Sequence, residues 1–202
     1  MAMAMAMDLR GWMGTMTLVA TGLLSGCGSM DNRSGVHRLT AATLDGKDKG
    51  VLILSAGAPT QCITMGTFLK VVDAKTGSQP DSANLIGVDV YIYKSDFPGH
   101  HGTINAVPLP PGRYEIRPFV ANPYYSPIII PNYVVEIAAG ELIYGGEVFM
   151  PRACAMDTLF TIHDEFTRDT ELAISKNPAL AGRPIEKRLL QKGRVIRFDG
   201  KE

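Results

Sequence analysis

Between Gly50 and His163 the chain consists of short segments in which apolar and polar residues alternate, and this pattern constrains the fold more than any other feature. A period of two places every second side chain on the same face, which is typical of a strand with one face against a core. Clusters of turn-forming residues separate the segments. We therefore predict a mainly β fold. The predicted strands are Val51–Leu54, Thr67–Asp73, Gly87–Lys94, Arg113–Val120, Tyr133–Ile137, Glu141–Met150 and Thr158–His163.

Two of these segments carry more specific predictions. Gly87–Lys94 has the clearest alternation: three branched apolar residues share one face, while Asp89 and two tyrosines share the other. We expect the face with Asp89 to be wet or covered by a loop. Gly145 and Gly146 lie inside the predicted strand Glu141–Met150, where glycine indicates a β-bulge or the close approach of another backbone.

A rigid turn precedes one of the predicted strands, at residues 109–116, which read Leu-Pro-Pro-Gly-Arg-Tyr-Glu-Ile. Together with the alternating residues 88–92, this stretch resembles the prealbumin-like or carboxypeptidase-regulatory-like β-sandwich domains, in which a Pro-Gly-x-Tyr hairpin brings the chain back across the sheet. The resemblance covers residues 50–162. It implies an antiparallel β-sandwich domain at residues 50–163 and a non-catalytic binding or structural role.

The start of the chain has the order of residues found in export signals. Arg10 precedes an apolar and small-residue stretch at residues 11–24, and residues 24–27 read Leu-Ser-Gly-Cys. This order is typical of a secretory signal, and the last four residues resemble the processing site of bacterial lipoproteins. The resemblance implies a signal peptide at residues 1–26 and a diacylglyceryl group on Cys27, which becomes the new N-terminus. An ordinary secretory signal with an incidental Cys27 is the alternative.

The lipoprotein resemblance also implies a location. Two or more acyl chains anchor a protein stably to a membrane. Gly28 follows the cysteine, where lipoproteins kept at the inner membrane often carry aspartate, so the resemblance implies the outer membrane with the domain facing the periplasm. Residues 27–49 are rich in small, polar and charged types, and we predict a flexible tether there.

The chain has three cysteines, an odd number for an exported protein. If Cys27 carries lipid, Cys62 and Cys154 remain as a pair in a compartment where disulfide bonds persist, and we predict a bridge between them. Such a bridge closes a long loop and is worth roughly 4 kcal/mol in the chain-entropy model. Two separately buried thiols are the alternative.

Residues 164–202 change to a helical period. We predict a helix at residues 167–176 that Thr167 caps, a second helix at residues 184–193 and a final short strand at residues 194–198, all packed on the sandwich. Parts of this region are similar to the tails of bacterial lipoproteins with no assigned activity. Those parts are Arg-Asp at 168–169, Asn-Pro-Ala-Leu at 177–180 and Lys-Arg-Leu-Leu at 187–190.

The sequence shows no motif of a catalytic or cofactor site. Lysine plus arginine and aspartate plus glutamate number 20 each, so charge does not favour nucleic acid as a partner. The Gly-x-Ser-x-Gly nucleophile motif is absent, and the glycine-rich stretches lack the dinucleotide and Walker patterns. We predict no catalytic residue and no cofactor. A pair of catalytic carboxylates is defined by distance rather than by sequence and stays open.

Histidines occur at two places that invite a metal interpretation. His100 and His101 are adjacent, but adjacent side chains seldom converge on one ion, and no zinc-site spacing lies nearby. We therefore predict an exposed polar turn there. His163, Asp164 and Glu165 lie where a predicted strand leads into a helix, so capping and surface solvation account for them. We predict no metal site.

A proline-interrupted loop at residues 122–131 is the strongest candidate for a partner-binding surface. Its prolines prevent a regular central strand, yet it keeps two tyrosines and three isoleucines. An exposed loop of this kind would form an apolar patch that meets a partner. The alternative is that the isoleucines fold back and close one end of the sandwich. The candidate residues are Tyr124, Tyr125, Ile128, Ile129 and Ile130.

Together these features predict a non-enzymatic lipoprotein of the cell envelope, anchored to the membrane through Cys27, whose β domain is a structural or protein-binding module with an envelope protein as its partner. Two alternatives stay open. One is a protein that binds or processes envelope glycans through aromatic residues and carboxylates. The other is a carrier of a metal ion or small ligand that uses His100 and His101.

Overall fold

The computed structural model describes residues 31–64, 66–120, 129–155 and 159–197, with the backbone alone at 120, 129, 130, 196 and 197. The helices are α1 (Ala41–Asp45) and α2 (Phe166–Lys176), with 3-10 turns at Val36–Arg38 and Pro178–Leu180. The strands are β1 (Gly50–Ala58), β2 (Thr67–Asp73), β3 (Ile86–Gly87), β4 (His101–Leu109), β5 (Gly112–Val120), β6 (Ile129–Ile130), β7 (Tyr133–Ile137), β8 (Leu142–Phe149), β9 (Thr161–His163), β10 (Glu186–Lys187), β11 (Gln191–Lys192) and β12 (Ile196–Arg197).

The strands form two five-stranded sheets and one separate pair. Sheet I has the order β10-β8-β1-β4, with β9 paired to β8, and sheet II has the order β11-β7-β5-β2-β3. β6 pairs with β12. Most pairings are antiparallel, but β8 pairs in parallel with both β1 and β10. The prediction of a mainly β fold is therefore confirmed, with two antiparallel-rich sheets, and the parallel pairings are a difference from the prediction.

β1 occupies the middle of sheet I, and all nine of its residues are buried. Leu52 and Leu54 belong to the apolar core shared with sheet II, whereas Val51 and Ile53 belong to a second core shared with α2 and the N-terminal residues. An unbroken apolar run is typical of a strand that is covered on both faces. Sheet I is therefore the central layer, with sheet II on one face and α2 on the other.

The predicted flexible tether is wrong for its described part, residues 31–49. Val36 is fully buried and Leu39 nearly so, in the core on the α2 side of sheet I. The amide nitrogen of Asn177 donates hydrogen bonds to the carbonyl oxygens of Val36 and Leu39, at 2.9 and 2.7 Å. Burial of these two apolar side chains, which are three residues apart, stabilises the packing of the segment against the domain.

The predicted strand Gly87–Lys94 is also wrong. Ile86 and Gly87 form the short β3, and beyond them Val90 makes an isolated bridge with Cys62. Asp89, expected on an accessible face, is fully buried because its carboxylate accepts hydrogen bonds from backbone groups on two other segments. Alternation here reflects a buried polar anchor and not a strand with one wet face.

The second predicted C-terminal helix does not form. Residues 184–193, which we call the C-terminal strap, are extended: β10 joins sheet I and β11 joins sheet II. Leu190 lies in the core between the sheets, and its neighbour Leu189 packs on the other core. Helix propensity yields here to tertiary pairing, because an extended chain can place consecutive leucines in two different cores. The predicted final strand is present as β12.

The first C-terminal helix is confirmed, with a different start. α2 begins at Phe166 with Glu165 at its N-cap, so Thr167 lies inside the helix and does not cap it. Its end at Lys176, with Asn177 as the C-cap, agrees with the prediction.

The predicted bulge at Gly145 and Gly146 is confirmed. Ile53 pairs with Tyr144, but Ser55 pairs with Glu147, so β8 holds one extra residue at this point. Gly146 has a φ of 102°, which favours glycine. Before the bulge Tyr144 faces α2, and after it Val148 faces sheet II. Because successive side chains alternate, the bulge places Glu147 on the same side as Tyr144.

Candidate functional site

Cys62 and Cys154 lie at disulfide distance, with their sulfur atoms 1.99 Å apart and their Cα atoms 5.2 Å apart. Asp89 ties the two ends of this bridge together. Its Oδ2 accepts a hydrogen bond from the backbone nitrogen of Cys154 at 2.9 Å, and its carbonyl oxygen accepts one from the backbone nitrogen of Cys62. Its Oδ1 accepts from the backbone of Thr67 at 2.8 Å. The bridge therefore rests on a buried, fully engaged carboxylate.

A cluster of charged and polar side chains lies between sheet I and α2, and we call it the Arg168 cluster. The Arg168 guanidinium lies within ion-pair distance of three carboxylates: Nη2 is 2.8 and 3.1 Å from those of Asp169 and Glu147, and Nη1 is 3.8 Å from that of Glu165. Sequence reasoning left open whether any two carboxylates converge, and the structure brings these three onto one guanidinium. The members are Ser55, His100, Tyr144, Glu147, His163, Arg168 and Asp169.

Asp169 forms the inner half of the Arg168 cluster. Its Oδ2 accepts hydrogen bonds from the hydroxyls of Ser55 and Tyr144, at 2.5 and 2.7 Å, and its Oδ1 accepts one from Nε of Arg168 at 2.9 Å. Burial and the hydrogen bond to Asp169 raise the pKa of Tyr144 well above its ordinary value, so the tyrosine remains a protonated donor. Asp169 is fully buried, and these donors compensate its charge.

Glu147 forms the outer half of the Arg168 cluster. Its Oε1 lies 2.9 Å from Nε2 of His100 and 3.1 Å from Nη2 of Arg168, and its Oε2 lies 3.5 Å from Nδ1 of His163. The contacts to Oε1 are ion pairs by distance, but within the described residues no aligned hydrogen bond satisfies this buried oxygen. Glu147 is therefore a buried carboxylate whose Oε1 is held by charged neighbours and not by aligned hydrogen bonds.

Aromatic rings hold the histidines and the guanidinium in place. Phe97 stacks on His100 with 4.6 Å between ring centroids, and the guanidinium of Arg168 lies 4.6 Å from the centre of the Phe97 ring. Phe149 lies between His100 and His163, at 5.7 and 5.3 Å. A cation over an aromatic face is attracted by its quadrupole, so Phe97 adds to the binding of Arg168.

The Arg168 cluster has a closed base and an open rim. The side chain of Glu147 is 3% exposed, whereas those of His163 and the adjacent Glu165 are 42% and 40% exposed. Solvent and small ions can therefore reach the cluster from the side of His163, while Glu147 and Asp169 remain inside.

The predicted exposed turn at His100 and His101 is wrong, and the two imidazoles do not converge. His101 begins β4 and is buried, with Nε2 3.0 Å from the carbonyl oxygen of Val90. His100 instead belongs to the Arg168 cluster, facing Glu147. A shared ion held by His100 and His101, as the carrier alternative supposes, is not compatible with these separate contacts.

The predicted partner loop and lipid site fall outside most of what the structure describes. Tyr124, Tyr125 and Ile128 are not among the described residues, and neither are residues 1–30, which contain Cys27. The backbone of Ile129 and Ile130 forms β6 against β12.

A cleft of about 210 Å³ lies between β7 and the C-terminal strap, and its charged residues are already paired. Nη1 of Arg113 donates to Glu136 at 3.2 Å, and Arg188 donates to both carboxylate oxygens of Glu141, at 2.9 and 3.0 Å. Because these charges are paired within the protein, they give no argument for a charged ligand in the cleft.

Sequence reasoning missed five residues of the cluster as site residues, namely Ser55, Tyr144, Glu147, Arg168 and Asp169. One local signal was available: Asp169 precedes Ala173 by four residues, which places a charge on the buried face of α2. The partners on β1 and β8 depend on long-range pairing that local patterns do not report.

Comparison of the chain with protein-family models, with curated proteins and with solved structures finds no match. In the described part of the chain, neither helix has the length and apolar character needed to cross a membrane.

Proposed function

We propose that this chain is a lipid-anchored protein of the bacterial cell envelope, held to the outer membrane through Cys27, with a non-enzymatic β domain that serves as a structural or protein-binding module in the periplasm. The observation that supports the proposal most directly is the pairing of Cys62 with Cys154 at disulfide distance. Structural disulfides persist in oxidising compartments outside the cytoplasm. The pairing also leaves Cys27 as the remaining cysteine, in the sequence Leu-Ser-Gly-Cys.

A non-enzymatic role is supported by the state of the buried carboxylates. Asp169 accepts from three donors within the domain, and Asp89 accepts from two backbone nitrogens. A general acid or base needs to reach a substrate proton at hydrogen-bond distance. Carboxylates that are already committed to the protein are suited to holding the fold together.

The prealbumin-like form of the sandwich is part of the same proposal. The turn at residues 109–112 carries the chain from β4 in sheet I to β5 in sheet II. The hydroxyl of Tyr114 donates to the carbonyl oxygen of Pro110 at 2.8 Å and so fastens the turn. The turn joins the two sheets and is not a hairpin within one sheet, since β4 pairs with β1 and β5 pairs with β2 and β7. The contact of Tyr114 with Pro110 is what supports the resemblance.

The anchor is tested with Cys27→Ala in the full chain, expressed in a Gram-negative host with an alkyne palmitate label. The native protein is expected in the outer-membrane fraction with label attached, and the variant in the soluble fraction without label. The matched control is the double variant Cys62→Ala, Cys154→Ala, which keeps the lipid site and is expected to retain both label and membrane association. Membrane retention of Cys27→Ala, or absence of label from the native protein, would overturn the proposal.

The module role is tested by crosslinking in intact cells, with Cys27→Ala as the comparison. One envelope protein captured reproducibly by the anchored form, and less by the released form, is the expected result. Recovery of the abundant envelope proteins alone, in the same proportions from both forms, would contradict a dedicated partner.

A further inference from the structure

The two ring nitrogens of His163 have different partners. The hydroxyl of Thr161 donates to the carbonyl oxygen of Phe149 at 3.3 Å. The hydroxyl oxygen of Thr161 also lies 2.9 Å from Nε2 of His163. A threonine hydroxyl has one hydrogen, so when that hydrogen is used on Phe149, Nε2 of His163 supplies the hydrogen of the second contact. In this arrangement a neutral His163 carries its free lone pair on Nδ1.

Nδ1 of His163 lies 3.5 Å from Oε2 of the buried Glu147. A lone pair and a carboxylate oxygen at this separation repel each other unless a positive charge lies between them. A shared proton would bring the two atoms to about 2.7–3.2 Å. Ligand atoms that lie about 2.0–2.2 Å from a tetrahedral zinc ion are about 3.3–3.6 Å apart. The observed separation therefore fits a metal ion better than a proton.

Glu165 completes a set of three ligands. One carboxylate oxygen of Glu165, one of Glu147 and one ring nitrogen of His163 all lie within 4.8 Å of one another. Glu165 is the N-cap residue of α2 and His163 ends β9, so both come from fixed elements at the open rim. Glu147, on β8, is the ligand at the buried end of the site.

The balance of charge also favours a cation at this place. Glu147, Glu165 and Asp169 contribute three negative charges, and Arg168 contributes one positive charge. Counted without the histidines, these groups leave two negative charges. Buried carboxylates are costly unless they are paired or bind a metal ion. One divalent cation would balance the remaining charge.

We propose that Glu147, His163 and Glu165 bind a divalent transition-metal ion of the zinc type, with solvent at the position facing the open rim. Imidazole nitrogen with carboxylate oxygen is a donor set that suits zinc. Cys27 and the lipid anchor play no part in this site, so it stands independently of the proposed envelope function.

The surrounding residues act as the outer shell of the site. Thr161 orients His163 through Nε2, while Arg168 and His100 hold Oε1 of Glu147 and leave Oε2 for the metal ion. Outer-shell contacts of this kind fix the direction of the ligand atoms and strengthen binding.

The proposal is tested by titrating the full chain, purified without a histidine tag in the Cys27→Ala background and stripped with chelator, with Zn²⁺ and with Co²⁺. The background removes the one cysteine outside the Cys62–Cys154 pair. We expect one Zn²⁺ per chain and a rise in melting temperature on binding. Co²⁺ bound by the protein in a site with few ligands should show visible absorption. His163→Gln and Glu165→Gln, both at the open rim, are expected to weaken Zn²⁺ binding by at least about 10–100-fold, since loss of an outer-shell partner alone costs that much and these two residues are ligands.

His37→Gln is the matched control, since His37 is an exposed histidine that pairs with Asp31 away from the cluster. It is expected to bind Zn²⁺ like the parent. Glu147→Gln is included as well. Because Glu147 is buried, the fold of this variant is first checked by circular dichroism. If Glu147→Gln does not fold, the His163→Gln and Glu165→Gln variants decide the result.

Three results would overturn the proposal. They are the absence of Zn²⁺ binding by a folded parent, Zn²⁺ binding that His163→Gln and Glu165→Gln leave unchanged, and loss of binding on His37→Gln. A preference for Mg²⁺ that is indifferent to His163→Gln would likewise overturn it, because the imidazole would then not be a ligand.

Discussion

Asp169 shows how one residue can join a helix to a sheet. It is buried on α2, and it receives hydroxyl hydrogen bonds from Ser55 on β1 and Tyr144 on β8 as well as the guanidinium of Arg168. Removing one partner from a buried charged network leaves the others uncompensated, which costs more than the network contributes as a whole. Asp169 should therefore be among the positions most sensitive to substitution.

We predict that Asp169→Asn lowers the free energy of unfolding by about 3–5 kcal/mol. The substitution removes one of the two buried counter-charges of Arg168, and it places an amide N–H group against the donors that Asp169 accepts from. Urea denaturation followed by fluorescence measures the change. Asp48→Asn, at an exposed position, is the matched control and is expected to change stability by less than about 0.5 kcal/mol. Equal stability of the two variants would show that the Asp169 contacts contribute little.

Gly146 is a second residue whose identity the fold requires. It has a φ of 102°, and a Cβ added there would lie 2.8 Å from Cγ2 of Ile162. Gly140 also has a positive φ, 77°, but a Cβ there would meet no described atom within 4 Å. The two glycines separate the cost of backbone conformation from the cost of crowding.

We predict that Gly140→Ala costs about 1–2 kcal/mol, the cost of a left-handed conformation, and that Gly146→Ala costs more, by about 1–3 kcal/mol for the added crowding. Thermal and urea unfolding of both variants checks the order. A smaller loss of stability for Gly146→Ala than for Gly140→Ala would mean that the bulge relaxes to accept the added methyl group.

Among the elements, the C-terminal strap is the one that joins the two sheets. It adds β10 to sheet I and β11 to sheet II, and Leu190 fills the core between them. Arg188 fastens the strap by donating to both carboxylate oxygens of Glu141, just before β8. These hydrogen bonds from Arg188 lower the pKa of Glu141, which makes the contribution of the pair dependent on pH.

We predict that Arg188→Gln lowers stability at pH 7 by about 1 kcal/mol, since both partners are partly exposed. The folded-state pKa of Glu141 is depressed, so the stabilisation is complete above its unfolded pKa of about 4.3 and is lost as the pH falls through the lower folded pKa. The difference between native protein and variant should therefore shrink below about pH 4. Unfolding curves from pH 2 to 7 measure it.

Arg113→Gln serves as the control for this pH series, because the ion pair between Arg113 and Glu136 is mostly exposed. It is expected to leave the stability profile unchanged. A difference for Arg188→Gln that stays constant from pH 7 to pH 2 would assign its effect to the contact with the carbonyl of Glu136 and not to Glu141.

Local sequence patterns predict those elements whose burial follows a simple period. β2, β5, β7 and α2 fall close to their expected positions for this reason. β4 was missed because His101, Gly102 and Pro108 suggest a turn, although the strand is buried in sheet I. The C-terminal strap was misassigned because its residues favour a helix in isolation, and pairing with two sheets overrides that preference.

At the scale of the whole molecule, the Cys62–Cys154 pair spans a sequence separation of 92 residues, which contains β4 and β8 of sheet I and four of the five strands of sheet II. Cross-linking over such a length reduces the entropy of the unfolded chain. The pairing itself could be anticipated from the cysteine count, whereas the Arg168 cluster could not. Its members come from five separate parts of the chain, and the pairing of β8 with β1 and β9 and the packing of α2 bring them together.

We predict that replacing both Cys62 and Cys154 by alanine lowers the free energy of unfolding by about 4 kcal/mol, through the greater entropy of the unfolded chain. Guanidinium denaturation with and without dithiothreitol measures this. Reductant should destabilise the native protein and leave the double variant unaffected. Equal midpoints for the native protein in both conditions would contradict a stabilising bridge.

The position of β1 in the middle of sheet I has a consequence for how the domain folds. Val51 on β1 pairs with Leu142 on β8, and under the proposed envelope function a chain that crosses the membrane N-terminus first presents β1 before β8. β4 can pair one edge of β1 earlier, but the other edge must wait. β1 therefore spends that interval with an unpaired edge. Binding of β1 by a chaperone during this interval would protect the emerging chain from aggregation.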